Sequence, residues 1–397
     1  MNSRGVTEVR RILAICTSHI GGVLLITPAL EILHQFFPSA EISVLVRKGT
    51  DAVLRNNPVI KHIFLDGEIT GNQQMHQRTR RSLARRISQV PEGLKLVGKL
   101  RRQKFDLAVN FSGSDRAAIV AFLSGAKERV GYTLKGGFAG KKWLFTQLYP
   151  RPSQVQHNVL QHTSLAFEVA RSYIGNSAAM PCVGPLVLHP PAEDMAWAKA
   201  EWQKLGGQSP RILIHPASRV HYKCWAGEKW ARVIEELTFR TKGNVLMTGS
   251  PDPKEHEIVK TILDTCNAKP AVLLGCLTLN QLAALIMQSD LFLGVDSAPM
   301  HIAAAVGTAV VALFGPSMDA RWGPWGSGHR VIRRPCACLE SKKSSCSAGQ
   351  IARCMAEIPT EEVYQTALEV LSELQQSSTK LHHAAAFLDS PSGTERP

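Results

Sequence analysis

The sequence has no Gly-x-Gly-x-x-Gly turn and no Walker loop. The first lack removes the fingerprint of a dinucleotide-binding dehydrogenase, and the second removes the phosphate cradle of a P-loop ATPase. No Asp-x-Asp pair occurs either, so no such pair is available to seat a divalent metal on a diphosphate. A diphosphate leaving group would have to be neutralised by a cationic side chain and backbone donors, and no cofactor is expected. The apolar run from Ile12 to Leu30 follows Arg10 and Arg11 as a leader would. Thr17, Ser18 and His19 interrupt it, Gly21, Gly22 and Pro28 follow, and no small-residue cleavage site is evident. The second half has no apolar segment near the roughly 20 residues that span a bilayer. A cytoplasmic or membrane-peripheral protein is expected.

Acidic residues are scarce in one half only. Residues 1–180 hold 25 Lys and Arg against 11 Asp and Glu, whereas residues 181–397 hold 21 of each, so the net charge of +14 lies wholly in the first half. That asymmetry suits an acidic substrate, an anionic membrane surface or nucleic acid, although no recognised nucleic-acid-binding motif accompanies it. Its densest point is Arg78, Arg80, Arg81, Arg85 and Arg86, which reads either as a solvated loop or as an amphipathic contact with anionic lipid. The nine cysteines are an odd number, and Cys16, Cys182, Cys224, Cys266 and Cys276 stand singly, as small buried hydrophobes do. A reducing compartment is the simpler expectation. Cys336, Cys338, Cys346 and Cys354 are numerous enough for a zinc ion, but their spacing is unlike the common C-x2–4-C pairs, so a loop with free thiols is expected.

A chain of 397 residues suits two α/β domains. Strands are expected at Arg11–Thr17, Ile42–Val46, His62–Leu65 and Phe105–Asn110, with helices at Val23–Phe37 and Thr50–Asn57. Strands alternating with helices at this spacing imply a mostly parallel sheet. Gly, Ser, Ala and Pro dominate from Gly175 to Pro191 and mark a boundary. The scheme then repeats with strands Ile212–His215, Val245–Thr248 and Val272–Leu274, and helices Ala226–Arg240, Pro253–Asp264 and Thr278–Gln288. The expected division is an N-terminal domain over 1–180, a C-terminal domain over 181–358, a helix over 359–376 and a disordered tail over 377–397, which is rich in Ser, His and Pro.

The densest information lies between Asp290 and Pro316. Leu291–Val295 and Thr308–Phe314 are apolar runs too short for surface helices, and they read as two buried parallel strands joined by the helix Ala298–Val306. Asp296 then stands at a strand's carboxyl end, with Ser297, Ala298 and Pro299 opening the helix. That helix start offers free N–H groups to an anion in the crevice where open α/β sheets bind ligands, unless Asp296 merely caps it. Ser218 and Lys223 follow the strand ending at His215, and Thr248 and Gly249 follow the next. A hydroxyl, a cation and the helix start could together hold a diphosphate, although Lys223 alone also reads as a solvated lysine. Trp322, Pro324 and Trp325 read as a packed turn near that mouth.

Three stretches together resemble glycosyltransferase family 9, the ADP-heptose:lipopolysaccharide heptosyltransferases, and most of all its heptosyltransferase III branch. They are Gly21 to Leu30 (GGVLLITPAL), His215 to Trp225 (HPASRVHYKCW) and Val295 to Ala305 (VDSAPMHIAAA). The resemblance covers about residues 10–375. It implies a GT-B fold, two Rossmann-like doubly wound domains facing across a cleft, and an inverting, metal-independent transfer. ADP-heptose would be held by the C-terminal domain, and a lipid-anchored inner-core acceptor by the N-terminal one, at the cytoplasmic face of the inner membrane. By position, Ser218 and Lys223 would contact the donor phosphates. Asp296, Ser297 and Ala298 would hold heptose and diphosphate, His301 would line the pocket, and Thr248 and Gly249 would lie near the adenosine. One position departs from the pattern: the family's proposed general base is an Asp before the Thr-Pro, and here it is Gly22. Glycine cannot take a proton, and a positioned base is worth about 10² to 10⁴ in rate. His19, on the same turn, and Asp115, after Phe105–Asn110, are the candidate substitutes. The alternative is a catalytically weak or inactive ADP-heptose or core-oligosaccharide binding protein.

Overall fold

The computed structural model describes residues 8–67, 83–133, 137–151, 155–175, 178–207, 209–336 and 352–388, with side chains throughout these except at 83–92 and 377–388. The first sheet is built from β1 (Arg11–Cys16), β2 (Glu41–Arg47), β3 (Ile60–Asp66), β4 (Leu107–Asn110), β5 (Glu128–Tyr132) and β6 (Gln147–Tyr149). The second is built from β7 (Arg211–His215), β8 (Asn244–Gly249), β9 (Ala271–Leu274), β10 (Leu291–Val295), β11 (Ala309–Phe314) and β12 (Arg330–Arg333). Their orders are β3-β2-β1-β4-β5-β6 and β12-β11-β10-β7-β8-β9, and all ten pairings are parallel. The central strands are buried on both faces, as Ile12–Cys16 and Leu291–Val295 show, which is why their sequences run apolar without alternation.

The strand orders locate the ligand crevices. In the first sheet the chain winds outward through β1, β2 and β3 and then returns to β4, so the order reverses between β1 and β4. In the second sheet it reverses between β7 and β10. Loops leaving adjacent strands at such a switch point diverge to opposite faces and open a crevice at the strand carboxyl ends. The loops at the two crevices begin at Thr17 and Phe111, and at Pro216 and Asp296.

The helix expected from Val23 to Phe37 is two helices, α1 (Ile20–Leu24) and α2 (Thr27–Phe36). Pro28, in the first turn of α2, has no N–H to give to Leu24, and the Thr27 hydroxyl donates to that carbonyl instead at 2.8 Å. Gly21 and Gly22 therefore lie inside α1 rather than on a free turn. The helix expected at Thr50–Asn57 is a single 3-10 turn, Asp51–Leu54. The remaining α-helices before the C-terminal one are α3 (Leu83–Arg102), α4 (Asp115–Leu123), α5 (Asn158–Ile174), α6 (Ala192–Lys204), α7 (Gly227–Thr241), α8 (Pro253–Thr265), α9 (Leu279–Met287), α10 (Ala298–Ala305) and the short α11 (Asp319–Trp322) and α12 (Arg353–Ala356). A C-terminal helix runs Thr360–Leu388, so the stretch from 377 to 388 that composition assigned to a disordered tail continues the helix. Residues 178–191 carry no helix or strand and pass between the sheets. The Val187 N–H donates to Thr27 there, and Gly184 accepts from the Trp325 indole at 3.0 Å.

Candidate functional site

The loop after β7 is shaped from beneath. Trp225 is fully buried and meets Trp230 edge-on at 5.2 Å, a contact worth about 0.5–1.5 kcal/mol beyond its buried area. Next to it, the buried Cys224 sulfur accepts from the Ser218 N–H at 3.3 Å and donates back to the Ser218 carbonyl. Burial pushes the Cys224 thiol up to about 11, so it remains protonated and serves as a staple between the two ends of the loop. The staple presents Lys223 to Asp296, with Nζ on Oδ2 at 2.6 Å. Asp296 is buried and does not cap α10. Ser297 is the N-cap; its side chain makes no cap bond, and its Oγ is buried without a partner. The first N–H groups of α10 are left over by helix geometry, with Pro299 among them giving up nothing.

His301 lies one turn into α10 and packs against Gly21 of α1, where an added Cβ would stand 2.5 Å from its Cδ2. Only glycine permits that approach, which carries the second domain's helix onto the first domain's. Burial pulls the His301 pKa down to about 4, so the ring is neutral, and its Nδ1 has no partner. Thr248 is committed to the buried His215, whose Nδ1 lies 3.0 Å from its Oγ1. At Gly249 a Cβ would stand 2.4 Å from Leu274, and the next residue, Ser250, donates its N–H to the buried Glu255 at 2.8 Å. His215 and Glu255 were not singled out from sequence; a histidine ending a buried strand was the available signal.

Across the cleft, Gly22 has no room for a side chain as it stands, because a Cβ would lie 2.7 Å from the Ser18 Cβ. His19 remains exposed, yet one face is shielded. That shielding, then the charges of Arg219 and Arg47, pull its pKa down to about 4. Its Nε2 accepts from the Arg219 guanidinium of the second domain at 3.1 Å. Asp115 opens α4, pairs with Lys141 at 2.9 Å and is half-exposed. Of the arginine run, Arg78, Arg80 and Arg81 lie outside the described residues, and Arg85 and Arg86 fall in α3. Cys336 and Cys354 are buried, and Cys338 and Cys346 lie outside the described residues. No group of three His, Cys, Asp or Glu among the described residues converges as a metal site.

One feature of the first domain escaped the sequence. A small cavity of about 50 Å³ lies at the ends of β4 and β5 and is lined by Asn110, Ser112, Tyr132, Arg151, Gln161 and His162, among others. Ser112 ties it to the loop after β1, because its Oγ accepts from the Thr17 N–H at 2.6 Å.

Residues 94–352 match the family pattern described as glycosyltransferase family 9 (heptosyltransferase). The chain belongs to that family. It is 30% identical over 77% of its length to lipopolysaccharide heptosyltransferase 3 of Escherichia coli, covering 84% of that protein. It is 27% identical over 79% of its length to the lipopolysaccharide core heptosyltransferase OpsX of Haemophilus influenzae, covering 82% of it. In structure it is similar to the E. coli ADP-heptose lipopolysaccharide heptosyltransferase II, with a TM-score of 0.71 at 21% identity over 92% of this chain and 99% of that one. The two parallel sheets with their facing switch points are thus the GT-B architecture, and this family 9 chain is a glycosyltransferase. Among the described residues no helix is long and apolar enough to cross a membrane.

Proposed function

We propose that this chain moves heptose from ADP-heptose onto the inner core of lipopolysaccharide, with inversion and without a divalent metal. One observation carries the reading: Lys223, Asp296 and the start of α10 converge at the second switch point, and His301 of α10 packs against Gly21 at the first. A diphosphate entering there draws Lys223 off Asp296 and takes the uncapped N–H groups of Ser297 and Ala298, while Ser218 donates to it from the stapled loop. Asp296, once released, accepts from heptose hydroxyls. As the acceptor oxygen bonds to the anomeric carbon, the bond to the diphosphate oxygen breaks and its electron pair leaves with ADP. Lys223 and the helix dipole stabilise that growing charge.

The acceptor's proton then needs a base other than Gly22. His19 stands on the same segment. Once Arg219 turns to a phosphate, the His19 Nε2 lone pair is free to take the proton, and removing that neighbouring charge raises its basicity. Asp115 is the second candidate, held in reserve by its pair with Lys141. The basic first half suits an acceptor that bears carboxylates and phosphates on an anionic membrane, with action at the cytoplasmic face of the inner membrane. Gly22 favours one other reading, a binding protein that holds ADP-heptose without turning it over. Mixing the protein with ADP-heptose, with and without core acceptor, separates the two. Transfer releases ADP only when the acceptor is present, and binding without release overturns the transferase reading.

A further inference from the structure

At the opening of α5 the first domain meets the second through one imidazole. His157 is the N-cap of α5, and its Nδ1 accepts from the Val159 N–H at 3.2 Å. A ring nitrogen that accepts carries no proton, so the proton of the neutral ring sits on Nε2. Nε2 therefore donates, and its partner is the Gly323 carbonyl just past α11 in the second domain, 3.1 Å away. Burial pulls the His157 pKa below its ordinary value, which favours this neutral form. Both nitrogens are thus committed, one to each domain. The ring face is committed as well, because it lies against the Trp325 indole with centroids 4.9 Å apart and planes 31° from parallel. That indole donates in turn to Gly184, in the segment that passes between the sheets. Beside the ring, the Arg321 guanidinium of α11 donates to the side-chain carbonyl of Asn158, the first residue of α5, at 3.3 Å.

Another contact between the domains, Gly21 against His301, joins α1 to α10. A body held at one point can turn about it, and a second point fixes the angle. The α11 turn follows β11, which lies beside β10 in the second sheet, and β10 leads into Asp296. Whatever holds that turn therefore also sets the angle at which the donor crevice faces the first domain. We propose that His157 is a positioning residue for the transfer, fixing the angle between the domains through Gly323 and Trp325 and so bringing donor and acceptor into line. The inference rests on the transfer reading for its effect on rate, and on the contacts alone for its effect on shape. Group transfer needs near-attack geometry, and a displacement of about 1 Å can cost about 10²-fold.

The substitution His157→Asn tests this in the full-length protein. Asparagine is among the best N-caps, so α5 keeps its start, but it brings no ring to Trp325 and is too short to reach Gly323. Trp325→Leu attacks the same joint from the other domain. Small-angle X-ray scattering, with and without ADP, should give both variants a larger radius of gyration than the parent, while thermal melts confirm folding. In the transfer assay kcat should fall about 10- to 100-fold, and the Kd for ADP, read by calorimetry, should stay within about twofold. A loss of ADP affinity that matches the loss in kcat, at unchanged radius, would place the damage in the donor crevice and overturn the proposal. An active enzyme whose kcat neither substitution changes overturns it too, as do variants whose radius equals the parent's. Enlarged variants of a protein that never transfers heptose keep the joint between the domains and discard the transfer reading.

Discussion

The two crevices of this molecule differ in how their charged side chains are paired, although each keeps buried polar atoms without a partner, Ser297 Oγ and His301 Nδ1 in the second and Asn110 Nδ2 in the first. At the second sheet, Lys223 is paired with Asp296, His215 with Thr248, and Ser218 with Cys224, so the mouth holds its shape through contacts of its own. At the first sheet, Gly22 carries no side chain, Arg151 lines a cavity and makes no ion pair among the described residues, and the buried Asn110 amide donor has no partner. A mouth that pairs its own charges is preorganised and exchanges one partner for another when ligand arrives. A mouth with unpaired charges is assembled by its ligand. The donor side is therefore expected to bind first and tightly, and the acceptor side to supply selectivity.

The largest effect should come from removing the pair that defines the ordered side. Lys223→Ala is expected to lower kcat/KM about 10²- to 10³-fold, in the range of losing one stabiliser of the leaving-group charge. Steady-state ADP release measures it, and a loss under tenfold would erase the contrast between the two mouths. The missing base comes next. His19→Ala should cost about 10² in kcat, whereas restoring a carboxylate with Gly22→Asp, paired with Ser18→Gly to clear the contact, should add little. A large gain from that double variant, with His19→Ala silent, would show the first mouth to be crippled rather than rebuilt. Gly21→Ala should destabilise the fold by about 1–3 kcal/mol through overpacking against His301, measured by urea denaturation, and should be relieved in part by His301→Ala.

The smallest effect is on acid stability. Burial holds His301 near 4 and His162 near 3, both below the ordinary 6.5. The unfolded chain then binds more protons than the folded one between pH 6.5 and those values, so stability should fall as the pH is lowered through that window and flatten beneath it. Unfolding midpoints at stepped pH read the slope. His162→Phe should make it shallower by up to one proton, and an unchanged slope would remove His162 from the buried set.

The sequence disclosed what hydrophobic continuity dictates. Leu291–Val295 and Thr308–Phe314 could hardly be anything but interior strands, and the parallel register of Leu291 with Ala309 follows. It concealed elements whose residues are mixed: β5 contains Glu128, Arg129 and Gly131, and β6 is a short edge strand that leaves Gln147 and Leu148 only partly buried. Tail composition misled because Ser and His from 377 onward are merely poor helix formers, and a helix already nucleated at Thr360 propagates through them. Within the site, Lys223 and Asp296 were each legible, but their mutual bond was not. The cavity beside β4 and β5 was hidden because its lining comes from strand ends, the loops after them and α5, with no local spacing to announce it.

Gly21 bears a last consequence. Because the imidazole of His301 occupies the volume a methyl group would need, the halves of the protein can come together only as far as a bare backbone allows. The thickness of one residue acts as the spacer of the whole machine. A side chain at that point would have to push the imidazole aside or hold the lobes further apart.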